Sequence, residues 1–122
     1  INPHAGEDGL LGKEEIEIIM PAVKSLKKMG VMVDGPVPAD TAFIRKFVSK
    51  YDVIHTMYHD QGLPVIKFDD FSRTTNVTLG LPIIRVSVDH GTATELVGTG
   101  KVDISSFTQA LKVARDISKS AT

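Results

Sequence analysis

TTNVTLGLPIIRVSV, residues 74–88, is rich in β-branched and apolar residues and is interrupted by Gly80 and Pro82. Val, Ile and Thr fit a pleated, half-buried surface, whereas Gly and Pro break strands. The stretch therefore predicts one or two strands. Helical patterns lie on both sides of it, and strands that alternate with helices are typical of an α/β layer with a largely parallel sheet.

The flanking elements are predicted from periodicity and breakers. Apolar residues at steps of three and four predict a helix from about Lys13 to Met29, with a kink near Glu17 because Pro21 disrupts the preceding turn. Residues 38–51 predict a second helix, capped by Asp40 or Thr41. Further strands are predicted at 31–37 and 52–59. A short helix is predicted at 92–100 and a closing helix at 104–120. The apolar stripe of the closing helix contains Phe107, Leu111, Ala114 and Ile117.

Composition limits the function. The chain has 122 residues, predicted as a single α/β region over residues 1–122, and a net charge of -1, which gives no broad field to attract nucleic acid or anionic lipid. It has no cysteine and no run of about 18 apolar residues, so thiolate metal sites and membrane spans are not expected, and the default compartment is the cytoplasm. Because Ile1 precedes Asn-Pro without an initiator Met, the chain is expected to be a fragment.

Three polar clusters, each containing a histidine, follow predicted strands: residues 2–9, 59–62 and 89–93. In open α/β sheets, ligands collect at the carboxyl ends of strands, so the three loops are predicted to share one edge. Imidazoles suit divalent metals, which makes His4 and His59 candidate ligands, with Glu7 as a possible orienter of His4. The alternatives are a hydrogen-bonded loop residue for His4 and a helix-capping Asp60 beside a packed His59. His55 is expected to be a strand residue.

Cationic and polar side chains suggest a second set of contacts. Lys67, Arg73 and Arg85 are candidate anion-binding residues, and Arg85 stands out as a permanent charge within an apolar strand pattern. Its structural alternative is a pair with Asp34 or Asp89. Asn76 can contact a ligand or a neighbouring loop. Residues 89–98, DHGTATELVG, can hold a nucleotide on backbone amides or form a strand-to-helix turn capped by Thr92.

Five motifs together resemble a known family: NPHAGE (2–7), GPVPADT (35–41), MYHDQGLPVIK (57–67), NVTLGLPIIR (76–85) and SVDHGTA (87–93). In this order they resemble the C-terminal part of the 4-hydroxythreonine-4-phosphate dehydrogenases, the PdxA family of vitamin B6 biosynthesis. The resemblance implies a fragment of a two-domain subunit with a three-layer α/β/α fold similar to isocitrate and isopropylmalate dehydrogenases. It also implies a homodimer whose active site lies at the interface.

The implied activity is NAD-dependent, divalent-metal-assisted oxidation of 4-phosphohydroxy-L-threonine, followed by loss of its carboxylate as carbon dioxide to give 3-amino-2-oxopropyl phosphate. The resemblance assigns the metal to His4 and His59, and the substrate to Lys67, Asn76 and Arg85. Asp60 is the candidate orienter or proton acceptor. The cofactor loop is implied at four residues, His90, Gly91, Thr92 and Ala93. The family's third metal histidine and its His-Thr substrate pair lie outside these residues.

Two stretches depart from the family. GEDGLLG (6–12) replaces GEGGHMG, and FSRTTNVTLG (71–80) replaces FGRGVNITLG, next to Asn76. The alternative substrates are therefore D-threonate or D-erythronate 4-phosphate, which a paralogous group oxidises, and a further alternative is a non-catalytic α/β module. His and carboxylate ligands are compatible with zinc, magnesium, manganese or cobalt. The sequence does not separate NAD from NADP.

Overall fold

The computed structural model of the chain describes residues 1–120, which combine helices and strands as an α/β protein. The chain forms two compact units, Ile1–Gly62 and Leu63–Thr122. Each is described by itself below. No helix among the described residues is long and apolar enough to cross a membrane.

The first unit contains mainly short helices. A 3-10 turn, Pro3–Gly9, precedes a π turn, Glu15–Ile19, which leads directly into helix α1, Met20–Lys28. Helices α2 and α3 comprise Ala39–Ala42 and Arg45–Val48. The predicted helix over Lys13 to Met29 is thus confirmed. The predicted kink takes the form of the π turn just before Pro21, where wider hydrogen-bond spacing accommodates a residue that has no amide proton.

Two strands predicted in this unit are absent from its described structure, since residues 31–37 and 52–58 are irregular. A strand needs a neighbour to satisfy its amides and carbonyls, and residues 1–62 provide none. The helix predicted over 38–51 is also divided, at Phe43 and Ile44. Neither Asp40 nor Thr41 caps it, because both lie inside α2 and the Thr41 hydroxyl donates to the Pro38 carbonyl at 3.2 Å.

Helix α4, His59–Asp70, is followed by a 3-10 turn at Phe71–Arg73. In the second unit, strand β1, Thr75–Thr78, pairs with strand β2, Arg85–Val88, and Thr75 lies opposite Val88. A second 3-10 turn, Thr94–Leu96, precedes helix α5, Ser105–Ser120, which packs on both strands. The two strands, the short helix after DHG and the closing helix are all confirmed, although the short helix is only one 3-10 turn.

The predicted largely parallel sheet is wrong for the described residues, whose two strands pair antiparallel. The connection between them has only six residues, 79–84. A parallel pair needs a crossover of about a dozen residues or more, so the short connection permits only a hairpin. The three-layer arrangement remains a prediction.

Helix α5 meets the sheet through small residues. Ser106 and Ala110 are buried, and Ala110 is the only buried apolar residue in the part of the chain that the structure describes. Ala114 and Ile117, on the predicted stripe, are half-buried, whereas Phe107 and Leu111 are each 57% exposed. Two of the four predicted stripe residues are therefore exposed, and the buried side chains of α5 are instead the small ones of Ser106 and Ala110.

A buried carboxylate organises the start of the first unit. Glu15 is only 2% exposed, and its Oε1 accepts hydrogen bonds from the amino group of Ile1 at 2.6 Å and the amide of Asn2 at 2.7 Å. Its Oε2 accepts from Asn2 Nδ2 at 2.8 Å. These donors, the Ile1 amino group first, lower the pKa of Glu15 to about 2. The carboxylate is thus held ionised beneath the preceding turn.

The turn above Glu15 has an unusual backbone. The five residues from His4 to Asp8 all have positive φ, between 42° and 81°. This conformation costs about 1–2 kcal/mol for each residue other than glycine. Gly6 is required, because a Cβ there would lie 2.9 Å from Oε2 of Glu15 and 3.0 Å from the Gly12 carbonyl oxygen. The contacts of Glu15 therefore offset strain in the turn that carries His4.

We expect Glu15→Gln to lower the thermal unfolding temperature of the 122-residue chain at neutral pH, since a neutral amide cannot accept the hydrogen bonds of Ile1 and Asn2 as strongly. The folded-state pKa of Glu15, about 2, lies below its ordinary value of 4.5. Its stabilisation is therefore complete above pH 4.5 and is lost as the pH falls through about 2. Thermal unfolding followed between pH 7 and pH 2 should show the gap to wild type shrink on acidification. Glu17→Gln, an exposed carboxylate in the same turn, is the matched control. A gap independent of pH would contradict this role.

Candidate functional site

His59 and Asp60 form a close pair in the first turn of α4. His59 Nδ1 lies 2.6 Å from Asp60 Oδ1, and the side chains are 73% and 83% exposed. In a neutral imidazole, an Nδ1 proton donates to this carboxylate and Nε2 keeps a free lone pair. Because α4 begins at His59, Asp60 is not the helix cap of the alternative interpretation. The pair has the arrangement of a metal-binding histidine and its orienter.

The rest of the HDQG motif fixes this helix start. Gln61 Oε1 accepts a hydrogen bond from the amide of Met57 at 2.9 Å, so its side chain reaches back as in a capping box. Gly62 is buried against Thr56, and a Cβ there would lie 3.2 Å from Cγ2 of Thr56. Gln61 and Gly62 thus stabilise the start of α4, while His59 and Asp60 stay exposed to solvent.

His4 also lies near a carboxylate, but not the predicted one. Its Nδ1 is 3.7 Å from Oδ2 of Asp40, and both side chains are more than half exposed. Glu7, the predicted orienter, lines a cleft of about 360 Å³ together with His4, Asp8 and Glu15. Asp40 belongs to the GPVPADT motif, but its approach to His4 spans 36 positions and has no local sequence signal.

The described residues do not form a complete metal site. No group of three or more His, Asp or Glu side chains in residues 1–120 is arranged to hold an ion. The imidazoles of His4 and His59 are nevertheless suitable donors, each with a carboxylate close to Nδ1. His55 has no such partner and lies exposed in the irregular segment, so its predicted strand position is wrong. The donor set fits a site that is completed by further ligands.

The predicted substrate residues lie in or beside the second unit's hairpin. Lys67 Nζ is 3.6 Å from Oδ2 of Asp89. Arg85 is exposed, and its Nη1 donates to Oγ1 of Thr78, its cross-strand neighbour, at 2.9 Å. Arg85 therefore has neither of the predicted carboxylate partners, since Asp89 pairs with Lys67 and Asp34 pairs with Lys27. The guanidinium is left open to solvent.

A cavity of about 470 Å³ lies beside β1. Its lining includes Arg73, Asn76 and Asp89, together with Leu63, Ile66, Thr74, Thr75 and Val77. Asn76, predicted from sequence to bind the substrate, is one of the residues that line this cavity. Asp89 was missed as a candidate in its own right, and its ion pair with Lys67 joins that lysine to the cavity wall.

The departure from the family before Asn76 has a local structural role. Oδ1 of Asp70 accepts hydrogen bonds from the Ser72 amide at 3.1 Å and the Ser72 hydroxyl at 2.6 Å. The Thr74 hydroxyl donates to the Asp70 carbonyl at 2.9 Å. The Ser72 hydroxyl first, and then the backbone amides of Arg73 and Ser72, lower the pKa of Asp70. Ser72 and Thr74 replace two family glycines and fasten the turn that leads into β1.

The loop after β2 exposes His90, Gly91 and Thr92. His90 Nδ1 lies 2.9 Å from the Gly91 carbonyl oxygen, a contact in which a protonated Nδ1 donates. Thr92 does not cap a helix, because the 3-10 turn starts after Ala93, whose φ of 45° is left-handed. No amide of residues 91–93 donates a hydrogen bond within residues 1–120, so three donors remain for a ligand.

Comparisons with known proteins agree on one family. The family model described as "Pyridoxal phosphate biosynthetic protein PdxA" matches residues 1–114. A 4-hydroxythreonine-4-phosphate dehydrogenase of Pseudoalteromonas atlantica is 53% identical over 98% of this chain, and one of Colwellia psychrerythraea is 57% identical over 93%. The crystal structure of the Klebsiella pneumoniae enzyme of that name matches 93% of this chain, with 46% identity and a TM-score of 0.80.

The chain spans only part of these relatives: 37% of the Pseudoalteromonas protein, 35% of the Colwellia protein and 34% of the Klebsiella chain. The family match nevertheless includes every predicted site residue, from His4 to Ala93. The chain therefore belongs to the PdxA family.

Proposed function

We propose that the protein containing this chain is an NAD-dependent, divalent-metal-assisted dehydrogenase that oxidises and decarboxylates 4-phosphohydroxy-L-threonine in pyridoxine 5'-phosphate biosynthesis. The observation that carries the proposal is the His59–Asp60 pair, whose 2.6 Å contact leaves Nε2 of the imidazole free. The names of the relatives support the reaction class, since they are 4-hydroxythreonine-4-phosphate dehydrogenases. Oxidation gives a β-keto acid, and its carboxylate leaves as carbon dioxide to yield 3-amino-2-oxopropyl phosphate.

His4 and His59 are the proposed metal ligands in this chain. When bound, the cation supplies Lewis acidity that acidifies the substrate hydroxyl and polarises the ketone formed from it. Asp60 keeps the Nδ1 proton of His59 in place and so directs Nε2 outward. Asp40 stands near Nδ1 of His4, but at 3.7 Å it orients that ring less tightly.

The substrate carries a phosphate and a carboxylate, which require cations. Lys67 and Arg85 supply them, Arg85 through a planar guanidinium that is exposed on β2. Asn76 adds a side-chain amide at the cavity beside β1. His90, Gly91, Thr92 and Ala93 are the proposed cofactor loop, and the free amides of residues 91–93 can donate to anionic or ring acceptor atoms of NAD.

Assembly and location follow from the same proposal. We infer a cytoplasmic homodimer with its active site at the subunit interface. An ion held by His4 and His59 needs at least one donor beyond those that residues 1–120 bring together. Additional donors would come from residues outside this chain.

A second candidate function rests on the segment before Asn76. Ser72 and Thr74 add hydroxyls where family members have glycine, and they stiffen the approach to the cavity. The second candidate is therefore a paralogous dehydrogenase acting on D-threonate or D-erythronate 4-phosphate, because the departure lies next to a proposed substrate residue, Asn76. A third candidate is a non-catalytic α/β module, which would bind neither metal nor substrate.

In the full-length protein, we expect His59→Ala to lower kcat/KM for NAD reduction at least about 100-fold, because a metal ligand is lost. A chelator should abolish turnover of the wild type, and added divalent metal should restore it. His55→Ala is the matched control, since His55 is an exposed histidine of the same unit with no carboxylate partner. Undiminished turnover in the His59 variant or in chelator would contradict the metal role.

Comparing substrates separates the two dehydrogenase proposals. We expect kcat/KM for 4-phosphohydroxy-L-threonine to exceed that for D-threonate 4-phosphate by about 100-fold or more, since a site that hydrogen-bonds one polar group rejects its replacement strongly. Initial rates of NADH formation with both compounds give the ratio. A ratio in the opposite direction would assign the protein to the paralogous group, and no turnover of either compound would favour the non-catalytic module.

A further inference from the structure

Lys67 and Asp89 form an ion pair within the second unit. Lys67 Nζ lies 3.6 Å from Oδ2 of Asp89, and the side chains are 35% and 17% exposed. Oδ2 is inaccessible to solvent and accepts no hydrogen bond within residues 1–120. A carboxylate oxygen that is removed from water without compensation is unfavourable, so the nearby ammonium is the counter-charge of Asp89.

The distance decides what Lys67 can still do. At 3.6 Å the ammonium is attracted to Asp89 but makes no direct hydrogen bond to it, since such bonds between nitrogen and oxygen are about 2.7–3.2 Å long. The three donors of the ammonium group therefore remain available to an anionic ligand. Asp89 therefore restrains the position of Lys67 but does not use the hydrogen-bond donors of its ammonium group.

Asp89 also occupies a distinctive place in the chain. It directly follows β2, lines the cavity that contains Asn76, and precedes the proposed cofactor loop at His90. Because its Oδ2 is inaccessible, a ligand would meet Lys67 rather than that carboxylate oxygen. Oδ2 therefore acts on a ligand only through the lysine.

We propose that Asp89 is a positioning residue that holds the Lys67 ammonium for the anionic group of the substrate, from the first residue after β2. The inference rests on the proposed function, which places Lys67 in substrate binding. It assigns to Asp89 a role separate from that of the loop that follows it. A long lysine side chain without this restraint would lose rotamer freedom on binding, which weakens affinity.

The test uses the full-length protein and the variants Asp89→Asn, Lys67→Met and the double variant. Asp89→Asn keeps the shape but removes the charge, and should raise KM for 4-phosphohydroxy-L-threonine about 10-fold while kcat changes less. The double variant should be no worse than Lys67→Met alone, because the two residues act as a unit. Asp116→Asn is the matched control, since Asp116 is a surface carboxylate of α5 paired with Arg115.

A KM for Asp89→Asn equal to that of Asp116→Asn would overturn the positioning role of Asp89. So would strictly additive effects of the two substitutions on KM in the double variant. If Asp89→Asn does not fold, Asp89→Glu provides the test, because it keeps the charge and displaces the carboxylate. An unchanged KM in that variant would overturn the proposal, and an intermediate rise supports it.

A separate readout distinguishes failure of the proposed function. If the wild type oxidises neither phosphorylated substrate, that function fails, and calorimetric titration with inorganic phosphate then tests Asp89 alone. Equal weakening of phosphate binding by Asp89→Asn and Lys67→Met supports the positioning role. Phosphate binding that depends on Lys67 but not on Asp89, or on neither residue, overturns it.

Discussion

The candidate metal-binding turn depends on the hydrogen bonds that the buried Glu15 carboxylate accepts. Its two oxygens accept hydrogen bonds from the amide and the side chain of Asn2, and it lies directly under Gly6. A run of left-handed residues from His4 to Asp8 is unfavourable for an isolated chain, so it persists only where surrounding contacts over-determine it. Strain of this kind is concentrated at functional sites. The position of His4 is thus set by a residue that itself binds no ligand.

Local elements were predictable and long-range pairings were not. The kinked first helix, the two strands around Gly80 and Pro82, and the closing helix follow from periodicity and breakers that act within a few residues. The direction of the sheet was mispredicted, although the short connection between β1 and β2 already excludes a parallel pair. The strands expected at 31–37 and 52–59 lack a partner in residues 1–62, which no single-segment pattern can reveal.

In the candidate site, too, local contacts could be predicted from the sequence and long-range contacts could not. His59 and Asp60 are adjacent in sequence, so their pairing could be anticipated, and Asn76 was expected at a ligand position. Asp40 beside His4 and Asp89 beside Lys67 are separated from their partners by 36 and 22 positions, and neither contact leaves a periodic signal. Both missed residues are carboxylates that sit behind predicted ligand-binding cations or imidazoles. The sequence motifs thus drew attention to candidate ligand-binding groups, and not to the carboxylates beside them.

His4 and His59 are proposed to bind one divalent cation through Nε2 in the full-length protein. Anomalous diffraction from crystals soaked with zinc, manganese or cobalt tests it most directly. The expected result is one anomalous peak that lies about 2.0–2.2 Å from Nε2 of both histidines. Asp60 should still lie at Nδ1 of His59. A peak bound to only one of the two histidines, or one that displaces Asp60 from Nδ1, would contradict it.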